Sequence, residues 1–552
     1  MADRRHMHDP RVSGVSAEYG HWWGAGALFL VALAVRLVHF GHTPTYDEFY
    51  HLLAAHSWLE YHTLSISGGV YTRAAPFTIL VAEFFRLFGE NLIVARIPAL
   101  LAGALLVPVV FLWVRSVSGA RAACATAILI TVSPLLISLS QMVRFYTLQA
   151  LCFFLAAIAV YALVTRRVCG VRAVLYAVGG AAALGFALDL QITTAIGAVG
   201  LIAWSTAVGL RALPSLAARR RKLVVAALFV LLIALGITAW IGSARLAALW
   251  HTFRVPPYWE AGVENNYRYY FYWFMGRYPT LWSLFPLAIF WGLVWRPRPV
   301  LFATMVFVVA LAVHTVAGPK QGRYIVYAMP FFFVVWGIAI GEAVPVMLTL
   351  VRGATRTLLG ERLRSGAEQW LVRGGLIAIL GFAAASNPAF PLAYRMLTRT
   401  DANWTGTSNY RGHADWTAMV PYIKPMLKNV DVVLTAEGVK ALYYLGRYDF
   451  EINLSNLRDT KSGREFSINL RTGHRVVGDL RAVQLIMACY PTGLVVVEVW
   501  AWEWAPRIVP PDVAAYVEAH ARRVALPSRS RMLAFEWRHA PEADAAACRE
   551  LR

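Results

Sequence analysis

Apolar runs of roughly twenty residues recur along the first 393 positions, and each is long enough to cross the hydrocarbon core of a bilayer as a helix. The runs predict spans over 23–41, 93–114, 122–140, 148–165, 173–189, 191–210, 223–243, 280–295, 299–317, 324–345 and 373–392. "APFTILVAEFFRLFG" (75–89) is shorter and carries Glu83 and Arg86, which predicts an interfacial or re-entrant helix instead of a crossing. From about residue 394 the pattern changes. "VDVVLTAEGV" and "GLVVVEVW" read as strands and "DVAAYVEAHARR" as an amphipathic helix. The expected architecture is a polytopic α-helical membrane protein of about eleven spans plus interfacial helices, residues 1–393. A C-terminal α/β domain, 394–552, is joined to it by "TRTDANWTGTSNYRGHADW".

Composition agrees with that pattern. Of 552 residues 58% are hydrophobic and 15% charged, well below the roughly one quarter charged in soluble domains. The net charge of +21 raises the question of nucleic acid, but the basic residues sit in short clusters between apolar runs: Arg115 and Arg121, Arg166 and Arg167, 219–222, Arg296 and Arg298. That is the positive-inside pattern of cytoplasmic loops, and no basic, aromatic module stands ready to track a phosphate backbone. Nucleic acid is therefore not an expected partner. With an odd number of spans the clusters fall on one side, the N-terminus is cytoplasmic and the C-terminal domain lies outside. The run Trp22–Phe40 is long enough to span and lacks a small-residue cleavage site, so it is expected to remain as the first span. Cys124, Cys152 and Cys169 read as small hydrophobes; Cys489 and Cys548 can pair if their domain is extracytoplasmic, a point the sequence leaves open.

This topology gathers 42–75, 140–147, 244–279 and 318–323 on the outer face with the C-terminal domain. In "PTYDEFYH", Thr45 and Glu48 form a capping box, and Asp47 beside them is not consumed by it. The helix dipole keeps a carboxylate at that place ionised, as a general base for a hydroxyl requires; the alternative is that Asp47 serves the dipole alone. Asp47, with Glu48 next to it, forms the candidate catalytic pair. Arg73 in "YTRAAP" is placed to meet a lipid phosphate with a two-pronged fork, or else snorkels to the headgroups. Arg144 and Tyr146 in "QMVRFYTLQ", and Lys320, Arg323 and Tyr324 in "PKQGRYIVYAMP", are further substrate-binding candidates; Lys320 and Arg323 are informative because they oppose the positive-inside bias. In the aromatic loop 244–279, Arg254 and Arg268 can reach a phosphate and the rings can stack on sugars, although interfacial belts also explain most of the aromatics. His42, His51, His56 and His62 have no recognised metal spacing.

Taken together, "YDEFYH", "YTRAAPFTILVAEFFRLFGENLIVARIPALLAG", "SPLLISLSQMVRFYTLQ" and "GRYIVYAMP" resemble the GT-C membrane glycosyltransferases, in the branch of protein O-mannosyltransferases and lipid A aminoarabinose transferases. The likeness runs in order over 30–165 and more weakly to about 340. It implies a GT-C fold in the bacterial cytoplasmic membrane and an inverting transfer of one sugar, a hexosyl or pentosyl unit. The donor would be a polyprenyl-phosphate sugar and the acceptor a hydroxyl of an envelope lipid, glycan or protein, with membrane lipids around the enzyme. The resemblance gives Asp47 the role of base or acceptor-orienting group, Arg73 a donor-phosphate contact, and Arg323 and Tyr324 places at the donor. Where family members often carry a second aspartate this chain has Gln149, which removes the case for a two-carboxylate metal site; no cofactor is expected, and a divalent metal is left open. The competing readings are a transporter or flippase of lipid-linked sugars, for which Asp189 is the nearest membrane-edge acid, and a non-catalytic scaffold of the same fold.

Overall fold

The computed structural model describes residues 10–165, 168–212, 250–251, 254, 266–359, 370, 374–375, 378, 381–398, 414–459, 466–540 and 548. The chain separates into two compact units that interleave in sequence. The first comprises Met1–Phe40, Arg96–Val255 and Gly262–Thr400; the second comprises Gly41–Ala95, Pro256–Ala261 and Asp401–Arg552.

The first unit is helical. Among the described residues five helical segments are long and apolar enough to cross a membrane: Leu92–Ser118, Tyr146–Thr165, Gly170–Leu190, Pro297–Val316 and Gly322–Leu350. The predicted span 122–140 is instead two helices, Ala120–Thr131 and Pro134–Ser140, meeting at a 60° bend. Its cause is local: Pro134 has no N–H to continue the first helix, and Ser133 before it is held extended. Predicted spans 23–41, 191–210 and 280–295 correspond to the shorter apolar stretches Trp22–Leu37, Thr194–Gly209 and Phe285–Trp295. Span 223–243 lies outside the described residues, and 373–392 is described only in part. The described residues thus hold five helices long and apolar enough to cross, or six with the bent pair as one, besides the three shorter apolar stretches.

The pattern of burial agrees with a membrane setting. Gly170–Leu190 buries Ala187 and Leu190 and turns Val171, Val174, Leu175 and Val178 outward, a tolerable arrangement only if the surrounding solvent is itself apolar. Inside the bundle Trp204 is fully buried and stacks on Tyr161 with ring centres 5.4 Å apart. The end of the helix Pro10–Leu37 is fastened by buried polar groups: Gln141 Nε2 donates to the carbonyls of Arg36 and Val38 (2.9 and 2.6 Å), and Arg96 Nη1 to that of Phe40 (2.8 Å). Helix-end carbonyls removed from water need such donors, and these fix where the first helix stops.

The second unit is built on a seven-stranded sheet. Its strands are β3 (Val432–Thr435), β4 (Phe450–Ile452), β5 (Phe466–Ile468), β6 (Arg475–Val477), β7 (Thr492–Glu498), β8 (Arg522–Arg523) and β9 (Met532–Arg538), in the order β5-β6-β4-β3-β7-β9-β8. The central β6, β4, β3 and β7 are parallel; β5, β9 and β8 add antiparallel edges. The run "GLVVVEVW" is apolar on both faces because helices cover both. Val495 and Val497 point into one core with the helices Leu480–Cys489 and Pro511–His520. Leu494 and Val496 point into the other, with Trp416–Ile423 and Gly438–Leu445. The α/β class expected from sequence is the one observed. A disulfide joins Cys489 to Cys548, with Cα atoms 5.6 Å apart.

Residues 41–95 belong to this unit although a division at 393/394 would leave them with the spans. They contribute the helices Tyr46–Tyr61 and Ala75–Phe88 and a hairpin of β1 (Ser65–Ile66) and β2 (Gly69–Val70). The hairpin lies against the loop 469–474: Gly68 N–H donates to Thr472 O (3.0 Å) and Val70 N–H to Leu470 O (3.2 Å). Glycine is required here. A Cβ on Gly69 would meet the Arg471 backbone, and Gly473, at φ +76, faces Gly68.

We expect Gly69→Ala to lower the stability of this unit by about 1–3 kcal/mol, because backbone must move to admit the methyl group. Gly446→Ala, at φ +80 but in open space, should cost only the left-handed backbone term of about 1–2 kcal/mol. Thermal denaturation of the two variants, with limited proteolysis in 63–71 as a local readout, compares them; equal losses and an uncut hairpin would contradict the close-approach account.

Candidate functional site

The helix Tyr46–Tyr61 starts as its sequence prescribes. Thr45 is extended (φ −78, ψ 158), and its backbone N–H and hydroxyl both reach Glu48 Oε1, at 2.7 and 3.2 Å. Glu48 is fully buried and is occupied in capping, whereas Asp47 is half-buried in the same first turn. The face below them is aromatic. Phe49 packs edge-on against Tyr443 and Tyr444 (5.1 and 5.6 Å), and Tyr50 stacks on Tyr71 at 5.1 Å and 15°. His51 Nδ1 bonds Thr78 Oγ1 at 2.8 Å, tying this helix to Ala75–Phe88. Arg73, half-buried, follows Tyr71 on the turn into that second helix, where Ala74 takes a left-handed conformation.

Through the hairpin, the loop 469–474 brings Arg471 to the same place. Its guanidinium lies 5.0 Å from the centre of the Tyr50 ring and donates to the Tyr50 hydroxyl, which also accepts from Tyr46. Burial pulls the Arg471 pKa down, but the oxygens of Tyr50, Tyr71 and Asp47 outweigh it and the net shift is upward. Burial pushes Tyr50 up to about 12 and raises Tyr46 as well, so both hydroxyls keep their protons at neutral pH. The loop has its own support. Asn469 Nδ2 donates to Glu451 Oε2 (2.8 Å), and Asn453 and Asn456 donate to Oε1 (3.1 and 2.7 Å). Glu451 is fully buried; desolvation raises its pKa, and the three amides and Arg471 offset only part of that.

A second polar cluster lies under Tyr46. Lys440 Nζ pairs with Glu498 Oε1 at 2.5 Å and stands 5.9 Å from the Tyr46 ring centre; Trp416 Nε1 donates to the same oxygen at 2.7 Å. Glu437 accepts from the Glu498 N–H, and burial, then the Glu498 charge, push its pKa well above the carboxylate range. Beside this cluster a cavity of about 310 Å³ is lined by residues that include His42, Thr43, Asp415, Trp416 and Tyr444.

In the first unit Arg144 is buried, donates to the Tyr146 hydroxyl (3.1 Å) and lies over the rings of Phe145 and Tyr146 (5.3 and 5.2 Å). Gln149 Nε2 donates to Thr194 Oγ1 at 2.9 Å, and that hydroxyl donates to Ala187 O: a neutral clamp across the break between Gly170–Leu190 and Thr194–Ala212. Lys320 is buried with its ammonium on the carbonyls of His314, Thr315 and Ala317, where it caps the helix Pro297–Val316. Arg323 lies over the Tyr324 ring at 5.8 Å in the turn Gly322–Ala328. Arg254 is exposed over Trp250, and Arg268 is exposed immediately before the helix Tyr269–Met275. Among the described residues no three His, Cys, Asp or Glu side chains converge as metal ligands do.

No family model matches the chain, and no curated protein matches it by sequence. Solved structures do match its fold. The lipid A aminoarabinose transferase ArnT from Cupriavidus metallidurans, bound to undecaprenyl phosphate, is 14% identical with a TM-score of 0.57, covering 96% of this chain and 99% of that one. The oligosaccharyltransferase AglB from Archaeoglobus fulgidus, in complex with an inhibitory peptide and a dolichol-phosphate, is 13% identical with a TM-score of 0.52, covering 96% of this chain and 75% of that one. The chain has the GT-C fold.

Within the GT-C frame, the second unit holds Asp47, Glu48 and Arg73; the first holds Arg144, Tyr146, Arg254, Arg268, Lys320, Arg323 and Tyr324. Sequence reading missed Arg471. The C-terminal domain showed no motif, and only the glycines of "SGGV" and "RTGH" hinted that two backbones meet.

The raised carboxyls give a pH prediction. Glu437 and Glu451 hold their protons more tightly when folded than unfolded. The stability they confer is complete below the ordinary carboxylate range and is lost as pH rises through their raised folded values, by at most about 1.4 kcal/mol per pH unit for each proton. Glu437→Gln should flatten the fall in Tm between pH 5 and 9; an unchanged slope would show that Glu437 does not carry it.

Proposed function

We propose that the protein is an inverting glycosyltransferase that moves one sugar from a polyprenyl-phosphate donor to a hydroxyl of an envelope lipid, glycan or protein, outside the cytoplasmic membrane. The observation that carries the reading is the match of nearly the whole chain to ArnT, a fold solved with undecaprenyl phosphate bound. The place of Asp47 agrees with it: a half-buried carboxylate in the first turn of a helix whose cap is made by Thr45 and Glu48. The Cys489–Cys548 disulfide supports an oxidising compartment for the C-terminal domain.

In this reading Asp47 accepts the acceptor proton as its oxygen attacks the anomeric carbon from the face opposite the leaving group. The C–O bond to phosphate breaks, and the polyprenyl phosphate departs with the electron pair. Arg73 meets the charge that develops on that phosphate, with Arg144, Tyr146, Arg323 and Tyr324 as further donor-side candidates. Polyprenyl phosphate is a good leaving group, so the scheme calls for no metal, and chelation should leave the rate unchanged.

Asp47→Asn should abolish transfer, at least about 100-fold, in a protein that still folds, since general-base contributions are typically 10²–10⁴. Arg73→Ala should raise the donor KM more than the acceptor KM. Mass spectrometry of envelope lipids and glycans from cells with and without the gene identifies the sugar and its attachment point. Full transfer by Asp47→Asn would remove the proposed base, and movement of a lipid-linked sugar across sealed vesicles with no new glycosidic bond would replace the enzyme with a flippase.

A further inference from the structure

We propose that Arg471, carried by the C-terminal domain, is a positioning residue for Asp47, so that this domain completes the reactive site within the second unit. The inference rests on the transferase reading above and adds to it the function of a domain in which no motif is legible.

The geometry is specific. Arg471 stands on a loop held from two directions. Outward, Leu470 and Thr472 accept the backbone N–H groups of Val70 and Gly68, and the glycine-to-glycine approach leaves no slack for the loop to shift. Inward, the Arg471 N–H donates to Asn469 Oδ1 at 3.0 Å, and Asn469 is itself fixed by fully buried Glu451. Thr472 adds a 2.7 Å bond to the Tyr448 hydroxyl. A guanidinium this constrained spends little conformational entropy in holding its target. Tyr50 directs it: the ring lies beneath the guanidinium, and its hydroxyl, steadied by Tyr46, accepts one N–H.

The guanidinium lies over Tyr50, and Tyr50, Tyr71 and Asp47 act on it electrostatically, as it does on Glu451. Tyr50 stands one helical turn after Asp47, so the guanidinium held over its ring lies within reach of Asp47, which acts electrostatically on Arg471. A fixed cation beside a general base keeps the carboxylate ionised and limits its rotamers. In the transfer step Asp47 takes the acceptor proton as the new C–O bond forms and the phosphate C–O bond breaks. Arg471 touches neither sugar nor phosphate.

The test uses the full-length protein in detergent or liposomes. Arg471→Gln should lower kcat about 10- to 100-fold, the scale of a misplaced catalytic group, with the donor KM within about twofold. Arg471→Lys should recover most of that loss. A cycle of Asp47→Asn, Arg471→Gln and the double variant, read by Tm, requires no activity: the double variant should lose less than the sum of the two singles. Additive Tm losses overturn the Asp47–Arg471 link even if transfer is confirmed. An unchanged kcat in Arg471→Gln, a rise confined to the donor KM, or failure of lysine to rescue overturns the positioning role. If Asp47→Asn itself transfers normally, the general-base reading fails instead, while a non-additive cycle still establishes the pair.

Discussion

Backbone hydrogen bonding between the hairpin β1–β2 and the loop 469–474 is the constraint on which the second unit depends. Two-residue strands cannot hold themselves together in water. Here the carbonyls of Leu470 and Thr472 supply what the hairpin lacks, at a separation only glycine permits. Once that join is made, Tyr71 is placed to stack on Tyr50, and the helix Tyr46–Tyr61 rests its aromatic face on Tyr443 and Tyr444. Arg73 and Arg471 then belong to one body with Asp47. The C-terminal domain is a wall of that body.

Several buried charged or polar groups are matched to the backbone or to a neutral partner, whereas Lys440 and Glu498 are matched to each other. Arg36 and Arg96 reach carbonyls at the end of the first helix, and Lys320 covers the carbonyls that end Pro297–Val316. Glu48 closes a helix start. Gln149, where relatives of this fold were expected to carry an acid, bonds Thr194 and joins helices without introducing a charge. These roles account for several residues that position in sequence alone marks as candidates. Asp47, half-buried in the first turn of its helix, is among the groups that act electrostatically on Arg471.

Burial also separates two kinds of arginine among the candidates. Tyr50, edge-on to Tyr46 and stacked on Tyr71, carries half-buried Arg471 over its ring. By contrast Arg254 and Arg268 are exposed, where a cation on an aromatic or near a helix start is worth less.

The sequence by itself determined what is periodic and local. Apolar run length marked the membrane helices, unbroken β-branched runs marked strands covered on both faces, and Thr45 with Glu48 marked a helix start; each depends on neighbours a few residues away. Only the tertiary structure decided the bend before Pro134, the pairing of Cys489 with Cys548, the employment of Lys320 on carbonyls, and the grouping of 41–95 with 401–552. It alone put Arg471 over Tyr50, one helical turn from Asp47 and more than four hundred positions away in sequence. Such meetings arise from shape and from backbone groups seeking partners, and a pattern of hydrophobic and polar letters carries neither.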